Sequence, residues 1–567
     1  MKTTSCSFLE AALATTLIVL TPAAEANDAY PKTRAVLARE ITAAMRQRNV
    51  VGLSIALVDD QRVVWAGGFG YADRARRIKA APDTVYRAGS VSKLFTATAA
   101  MQLAEQGRFD IDAPLKTYLP AFFIRSRFPE AAPITPRLLM THHAGLPSYF
   151  LKGGSTSADF SALAGELGEE FLAYPPNFLL DYSNLGFSLL GTAVQNACGQ
   201  PFAACLRGRL LAPLGMADSG FSADLPAPER LAKSYRRGRA EADPPIRDVP
   251  AGGLTTTVLD LSRFIAMMQA GGRAGDAPLL APAAVVELLR PQNAGMSLDL
   301  DTRIGLAWFL SKTSSGETLA GHSGSTDHYN SALYLLPDHR LGVAILSNSA
   351  ESAALVEPLA TAALEAMLAE KTGQTPTSAV PARPALPSMP EDFAGFYATD
   401  AGLLEIVHRP GRFLVRLQGR AIPLKRAANG SLQGRPAAGG EITLWRTRLS
   451  EREVLIQDSA AGRVLVGEKV AGSLLSPAWR QRLGNYQVEN PDPALPPLRV
   501  RLLAKSGFLL ARVRGAGGEP LERVLLPLND RETIFAGLGR GLGETLRVEE
   551  RAGAEVLGYS GYRLRRR

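Results

Sequence analysis

The sequence predicts an α+β domain followed by two small all-β, barrel-like domains. Three observations carry this. Two hairpin signatures lie far apart in the chain with helical, loop-rich sequence between them. A stretch with prolines at 376, 381, 384, 387 and 390 then interrupts the pattern, and beyond it only short alternating strands are legible.

At 567 residues the chain is longer than one domain, and with 46% apolar and 21% charged residues it has the composition of a globular protein rather than a disordered or collagen-like one. Lys2, the apolar run Ala11 to Leu20 and the small-x-small pattern Ala24-Glu25-Ala26 predict a signal peptide over residues 1–26 and an exported protein, periplasmic or secreted. No later run reaches the roughly 18 to 20 apolar residues of a membrane-spanning helix.

The main domain is predicted over 27–372. It opens with a helix from Pro31 to Asn49, with Val36, Leu37, Ile41 and Met45 at helical spacing. A hairpin follows: Leu53, Ile55 and Leu57 alternate with small residues, Asp59-Asp60-Gln61 turns the chain, and Val63 to Trp65 run back. The second hairpin joins SALYLLPD (331–338) to LGVAILSN (341–348), and helical patterning from Ala353 to Ala369 closes the domain. A Pro-rich linker is predicted over 373–389, then β domains over 390–472 and 473–567, with strands such as 412–417, 497–504 and 507–514. PEDFAGFY (390–397) and PAWRQRLGNY (477–486) repeat a Gly-x-Tyr, its glycines Gly395 and Gly484 standing 89 residues apart. That repeat suits two β domains of similar build, or one larger barrel.

Cys6 belongs to the signal segment. Cys198 and Cys205, flanking Gly199-Gln200-Pro201, read as two buried apolar thiols in preference to a local disulfide. With six His and no HExxH or CxxC spacing, no metal site and no cofactor are expected. The net charge is +9, and residues 391–567 hold 28 Lys plus Arg against 19 Asp plus Glu, so the whole excess is C-terminal. Such a surface suits either an anionic envelope polymer or headgroup, or plain solvated arginines on strands. Nucleic acid is not expected, because basic residues are not interleaved with aromatics. The oligomeric state is not legible.

Chemistry concentrates in TVYRAGSVSKLFTATAAMQLAEQG (84–107), a short strand, a glycine and an apolar helix ending at Gly107. Ser90 stands at the helix start, where an unpaired N–H and the helix dipole favour negative charge. Lys93, three residues on, shares its face. Desolvation on this helix lowers the affinity of its amine for a proton, so that it can accept the proton of Ser90. Tyr182-Ser183-Asn184 follows 92 residues after Ser90, and His322-Ser323-Gly324 another 140 residues on.

In this order the three elements resemble the Ser-x-x-Lys, Tyr-x-Asn and basic-x-Gly signatures of class C β-lactamases and their relatives among penicillin-binding proteins, esterases and D-amino-acid peptidases. ITPRLLMTHHAGLPS (134–148), LRGRLLAPLGMADSGF (206–221), PAGGLTTTVLDLSRF (250–264) and IGLAWFL (304–310) are similar to the same family, giving coverage from about 31 to 370. The resemblance implies an antiparallel sheet flanked by helices plus a helical subdomain, the β-lactamase/penicillin-binding fold, and catalysis through an acyl-enzyme. It makes Ser90 the nucleophile, Lys93 its activator, Tyr182 a phenolate or proton shuttle, and Asn184 a contact to Lys93 and the substrate amide. His322 and Gly324 would form the opposite wall, and the Ser325 N–H would be the second oxyanion donor. His142 and His143 read as structural. Gly321-His322-Ser323-Gly324-Ser325 nearly matches the Gly-x-Ser-x-Gly of α/β-hydrolases, but ends in Ser.

The informative departure is His322, where many family members carry Lys. A neutral imidazole loses the fixed charge that meets a substrate carboxylate. The expected activity on a small-molecule or peptide substrate is therefore that of a D-aminopeptidase-like peptidase or amidase, or an esterase. The alternatives are a class C-like β-lactamase or DD-carboxypeptidase, or a penicillin-binding scaffold without turnover. The β tail resembles the lipocalin-like extensions of such relatives, and would shape the site or serve packing.

Overall fold

A computed structural model describes residues 29–567 except 222–229, 375–385, 387–392, 436–439, 460–461, 493–497, 515–519 and 552. The predicted signal peptide and most of the predicted linker lie outside the described residues. Among the described residues, no helix is long and apolar enough to cross a membrane.

The first half is built on an eight-stranded antiparallel sheet. Its order in space is Arg303–Ile304, Phe309–Lys312, Thr318–Ser325, Asn330–Leu336, Leu341–Ser347, Gly52–Asp59, Arg62–Asp73 and Ile78–Lys79. The predicted hairpins are thus joined, with Ile55 opposite Ile345 at the centre. The strand period of two decides the layers. Leu53, Ile55, Leu57, Val343 and Ile345 pack under the helices Pro31–Arg48 and Val356–Thr372 through Leu37, Ile41, Leu364 and Met367. The intervening Ala56, Val58, Ala344 and Leu346 face the helical subdomain, against Phe264 and Ile265. At the heart of that subdomain runs Ser92–Glu105, whose residues 92–103 are all buried. A helix buried on every face explains the absence of amphipathic spacing in this segment.

Cys198 and Cys205 form a disulfide, which corrects the expectation of two free thiols. The helix Asn184–Cys198 ends at Gly199 in the left-handed conformation, and Phe202–Leu206 starts three residues later. The reversal brings the two Cα atoms to 6.3 Å, within bridging distance.

The tail consists of two closed eight-stranded barrels, one spanning Gly395–Thr399 to Gly462–Val470 and the other Gly484–Val488 to Tyr562–Arg566. Each strand pairs with its sequence neighbour, and side chains fill both interiors. The Gly-x-Tyr repeat marks equivalent corners. Gly395 and Gly484 start the first strands at φ +133° and +145°, a region side chains rarely adopt. Each tyrosine hydroxyl then donates to a carbonyl four residues back, Tyr397 to Phe393 at 3.0 Å and Tyr486 to Arg482 at 2.7 Å.

Both barrels pack on the first half. Trp445, Val454 and Ile456 of the first join Ala173, Tyr174 and Leu179 in one apolar cluster. The second docks through polar contacts, among them Ser148 N to Glu544 Oε1 at 3.0 Å, Leu151 N to Ser560 Oγ at 2.7 Å and Gly153 N to Asp492 Oδ2 at 2.9 Å.

Candidate active site

Ser90 sits in a 3₁₀ turn, Gly89–Val91, that leads into the helix Ser92–Glu105. The turn is held by Ser92 Oγ, which donates to Gly89 O at 2.6 Å and accepts from Leu254 N at 2.9 Å. Two glycines let it press against the strand Thr318–Ser325. Gly89 has φ +51°, and a Cβ there would lie 2.7 Å from Ser325 N; a Cβ on Gly324 would lie 2.0 Å from Ala88 O and 3.0 Å from Ser90 N. The backbone amides of Ser90 and Ser325 therefore flank one narrow contact that no side chain can enter.

Lys93 is fully buried. Its Nζ lies 3.1 Å from Ser90 Oγ, 2.7 Å from Asn184 Oδ1 and 2.8 Å from Ala251 O. Burial, followed by the nearby Arg540 guanidinium, pushes its pKa well below the usual lysine range, against a smaller opposing pull from Asp248. A neutral amine has two N–H donors and one lone pair. The two oxygens that can only accept, on Asn184 and Ala251, take the donors, and the lone pair is left facing the Ser90 hydroxyl.

Asn184 is fixed at the first turn of its helix by Ser183, whose Oγ accepts from Gly186 N at 2.9 Å and donates to Pro147 O at 2.7 Å. Tyr182 packs over Lys93, with Nζ 4.8 Å from its ring centroid. Burial raises the Tyr182 phenol above its ordinary range, only partly countered by its hydrogen bond with Ser90. The phenol thus holds its proton while the amine of Lys93 releases its own.

His322 is 4% exposed, its ring 6.0 Å from that of Tyr182 and 5.2 Å from that of Phe309. Burial above all pushes it down to about 3, so it is neutral at ordinary pH. Its Nδ1 faces the Ser323 carbonyl, which can only accept, and this fixes the proton on Nδ1. Nε2 is then an acceptor, buried and unpartnered among the described residues.

A cavity of about 310 Å³ opens over this group. Ser90, Asn184 and Ser325 line it, whereas Lys93, Tyr182, His322 and Gly324 pack beside it. His142 and His143 stay outside: His142 Nδ1 accepts from Ser183 N at 3.1 Å and its ring lies tilted against Tyr182 at 4.2 Å, and His143 Nε2 meets Asp299 Oδ2 at 2.8 Å. Both brace the Tyr182 segment.

The second barrel contributes residues that the sequence did not single out. Tyr562 and Leu498 line the cavity, and Arg540 lies with its guanidinium carbon 4.9 Å from the Tyr182 ring centroid and 5.0 Å from that of Tyr149. The signal was present as Gly537-Leu-Gly539-Arg540-Gly541-Leu-Gly543, whose four glycines all have φ between +72° and +110°. Alternating glycines in a β tail mark a loop built for close approach.

Residues 37–368 match a family model described as Beta-lactamase. The protein flp of Staphylococcus aureus (strain COL) is 25% identical over 317 residues, covering 54% of this chain and 61% of flp. Penicillin-binding protein 4 of Amycolatopsis lactamdurans is 29% identical over 296 residues, covering 49% of this chain and 76% of the relative. Among solved structures, the octameric penicillin-binding protein homologue from Pyrococcus abyssi shares the fold with a TM-score of 0.52 at 22% identity, covering 86% of this chain and all of that one. The chain thus spans only 61% of the length of flp, the curated relative with which it shares the longest of these matched segments.

Proposed function

This chain belongs to the beta-lactamase family of serine hydrolases, and on that premise we propose that Ser90 is its nucleophile and that it hydrolyses amide or ester bonds through an acyl-enzyme. One observation carries the reading: a fully buried Lys93 amine stands 3.1 Å from Ser90 Oγ with its other two contacts taken by oxygen acceptors. Lys93 takes the Ser90 proton as Oγ attacks the carbonyl carbon. The Ser90 and Ser325 amides meet the oxyanion, and Tyr182, a neutral phenol, passes a proton to the leaving group. The proton that Lys93 took then restores Tyr182, and water adds to the acyl-Ser90 ester, one of its protons ending on Ser90 Oγ as the acid departs.

The neutral His322 supports a peptidase or amidase of the D-aminopeptidase kind, or an esterase, over a β-lactamase or DD-carboxypeptidase. Buried behind the cavity wall, its ring carries no charge to meet a substrate carboxylate. The test is a panel of D-amino-acid anilides, nitrophenyl esters and a chromogenic cephalosporin, assayed with wild type and Ser90→Ala. Turnover surviving in the variant would remove the nucleophile. Fastest turnover on the cephalosporin would remove the substrate preference.

We also propose that the protein works outside the cytoplasm, a reading supported by the signal-like start and the Cys198–Cys205 disulfide. Recovery of a full-length chain solely from the cytoplasmic fraction would contradict it. The basic second barrel would face an anionic envelope surface. In support, Arg499 stands opposite Arg514 and Arg501 opposite Arg512 across paired strands, and with Arg567 they line a cavity of about 330 Å³. Equal binding to neutral and anionic vesicles would dismiss this.

A further inference from the structure

The site lacks a cation on its strand wall and has one on its other side. His322 is neutral and buried, but the second barrel delivers Arg540 to the Tyr182 side. The loop that carries it is anchored to the hydrolase half at three points around the arginine. Tyr174 Oη donates to Gly537 O at 3.1 Å, Gly539 N lies 3.1 Å from the same hydroxyl, and Gly541 N donates to Ser148 Oγ at 2.9 Å. A Cβ on Gly543 would lie 2.7 Å from Tyr174 and 2.8 Å from Ala173 O, so the loop's close seat depends on glycine.

Arg540 itself is stacked but not neutralised. Its guanidinium lies over Tyr149 and Tyr182 and donates to the Tyr149 hydroxyl. Among the described residues it makes no ion pair. The side chain is still exposed, and a stacked guanidinium leaves edge donors open, in the fork that fits a carboxylate. Tyr149 lines the cavity together with Ser90. A positive charge this close to Lys93 also opposes a second one, as the depressed Lys93 amine reflects.

We propose that Arg540 is a specificity-determining residue contributed by the C-terminal barrel, which receives an anionic group, a carboxylate, on the leaving-group side of the substrate next to Tyr182. The charge missing from the strand at His322 is thereby supplied in a different place, and the barrel becomes part of the substrate site. The proposal deepens the serine-hydrolase reading and rests on it, since the leaving-group side is defined by the proton that Tyr182 hands over. It leaves the preference for peptide or ester bonds intact, and adds that the departing half carries the negative charge.

The experiment compares two esters of phenylacetic acid in the full-length protein, one with 3-hydroxybenzoate as leaving group and one with its methyl ester. The wild type should favour the carboxylate-bearing ester in kcat/KM, chiefly through KM, and the preference should shrink as salt rises. Arg540→Ala should cut the ratio of kcat/KM for the carboxylate ester over the methyl ester on the order of tenfold or more, beyond any change that both esters share through the Lys93 amine. Arg540→Glu should reverse the preference, and Arg540→Lys should restore part of it. A wild type that favours the methyl ester, or an Arg540→Ala that slows both esters equally, overturns the inference. Fluorophosphonate labelling of Ser90 separates the two readings. If Ser90→Ala abolishes label and turnover while Arg540 variants leave the ester ratio unchanged, only the Arg540 inference fails. If Ser90→Ala keeps its turnover, the hydrolase reading itself fails.

Discussion

The Lys93 Nζ lies closer to Asn184 Oδ1, at 2.7 Å, than to Ser90 Oγ, at 3.1 Å. Asn184 therefore governs the amine as much as the serine does, by accepting one of its hydrogens without offering charge.

Asn184→Asp tests this with almost no change of shape. A carboxylate at that distance favours the ammonium form, so the Lys93 pKa rises from its depressed position. Activity that needs the neutral amine exists above that pKa, so the acid limb of the kcat/KM profile should move to higher pH, by about one unit or more. A limb that stays in place would mean that Lys93 is not the titrating base.

Glu544, at the contact of the second barrel with Ser148, should make stability depend on pH. It is 4% exposed, accepts from Ser148 N at 3.0 Å and from Tyr559 Oη at 2.6 Å, and is pushed up to about 7, mainly by burial. Asp181, whose Oδ1 accepts from Ser148 Oγ at 3.3 Å, is raised as well, by burial and by Glu544. The folded state holds a proton on Glu544 that the unfolded chain gives up near its ordinary value. Stability is then fully present below the ordinary glutamate range and lost as pH rises through about 7. Glu544→Gln should erase a loss on the order of 3 kcal/mol, so thermal melts of variant and wild type should diverge in the variant's favour between pH 4.5 and 7. Parallel curves would contradict this.

Gly324→Ala probes the contact between the strand and the Ser90 turn. The new Cβ would meet Ala88 O at 2.0 Å and Ser331 Oγ at 2.4 Å, with Ser90 N at 3.0 Å. Overpacking should cost about 1–3 kcal/mol of stability, and displacement of the turn on the order of a hundredfold in kcat/KM. Near-wild-type kinetics in the folded variant would show that the close approach is dispensable.

The hydrolase half was legible because its chemistry is local. Ser90 and Lys93 share one turn, Tyr182 and Asn184 flank a Ser183 cap, and His322 stands two residues before Gly324 in one short element. The structure brings all five together. What could not be read depends on distant packing. Arg540 and Glu544 act through a docking geometry that no spacing encodes, and the glycine-rich run around Arg540 announces a loop without its destination. The Cys198–Cys205 bridge was missed because the tightness of the Gly199 reversal is a property of the fold, not of apolar pattern. The repeat of Gly395 and Gly484, by contrast, was visible because each barrel needs the same backbone corner.

The most direct measurement is intact-mass and peptide mapping after reaction with a fluorophosphonate. The account predicts one adduct, on the peptide containing Ser90, absent from Ser90→Ala and formed much more slowly in Lys93→Ala. An adduct elsewhere, at Ser323 in the Gly-His-Ser-Gly-Ser stretch for example, or undiminished labelling of Ser90→Ala, would contradict it.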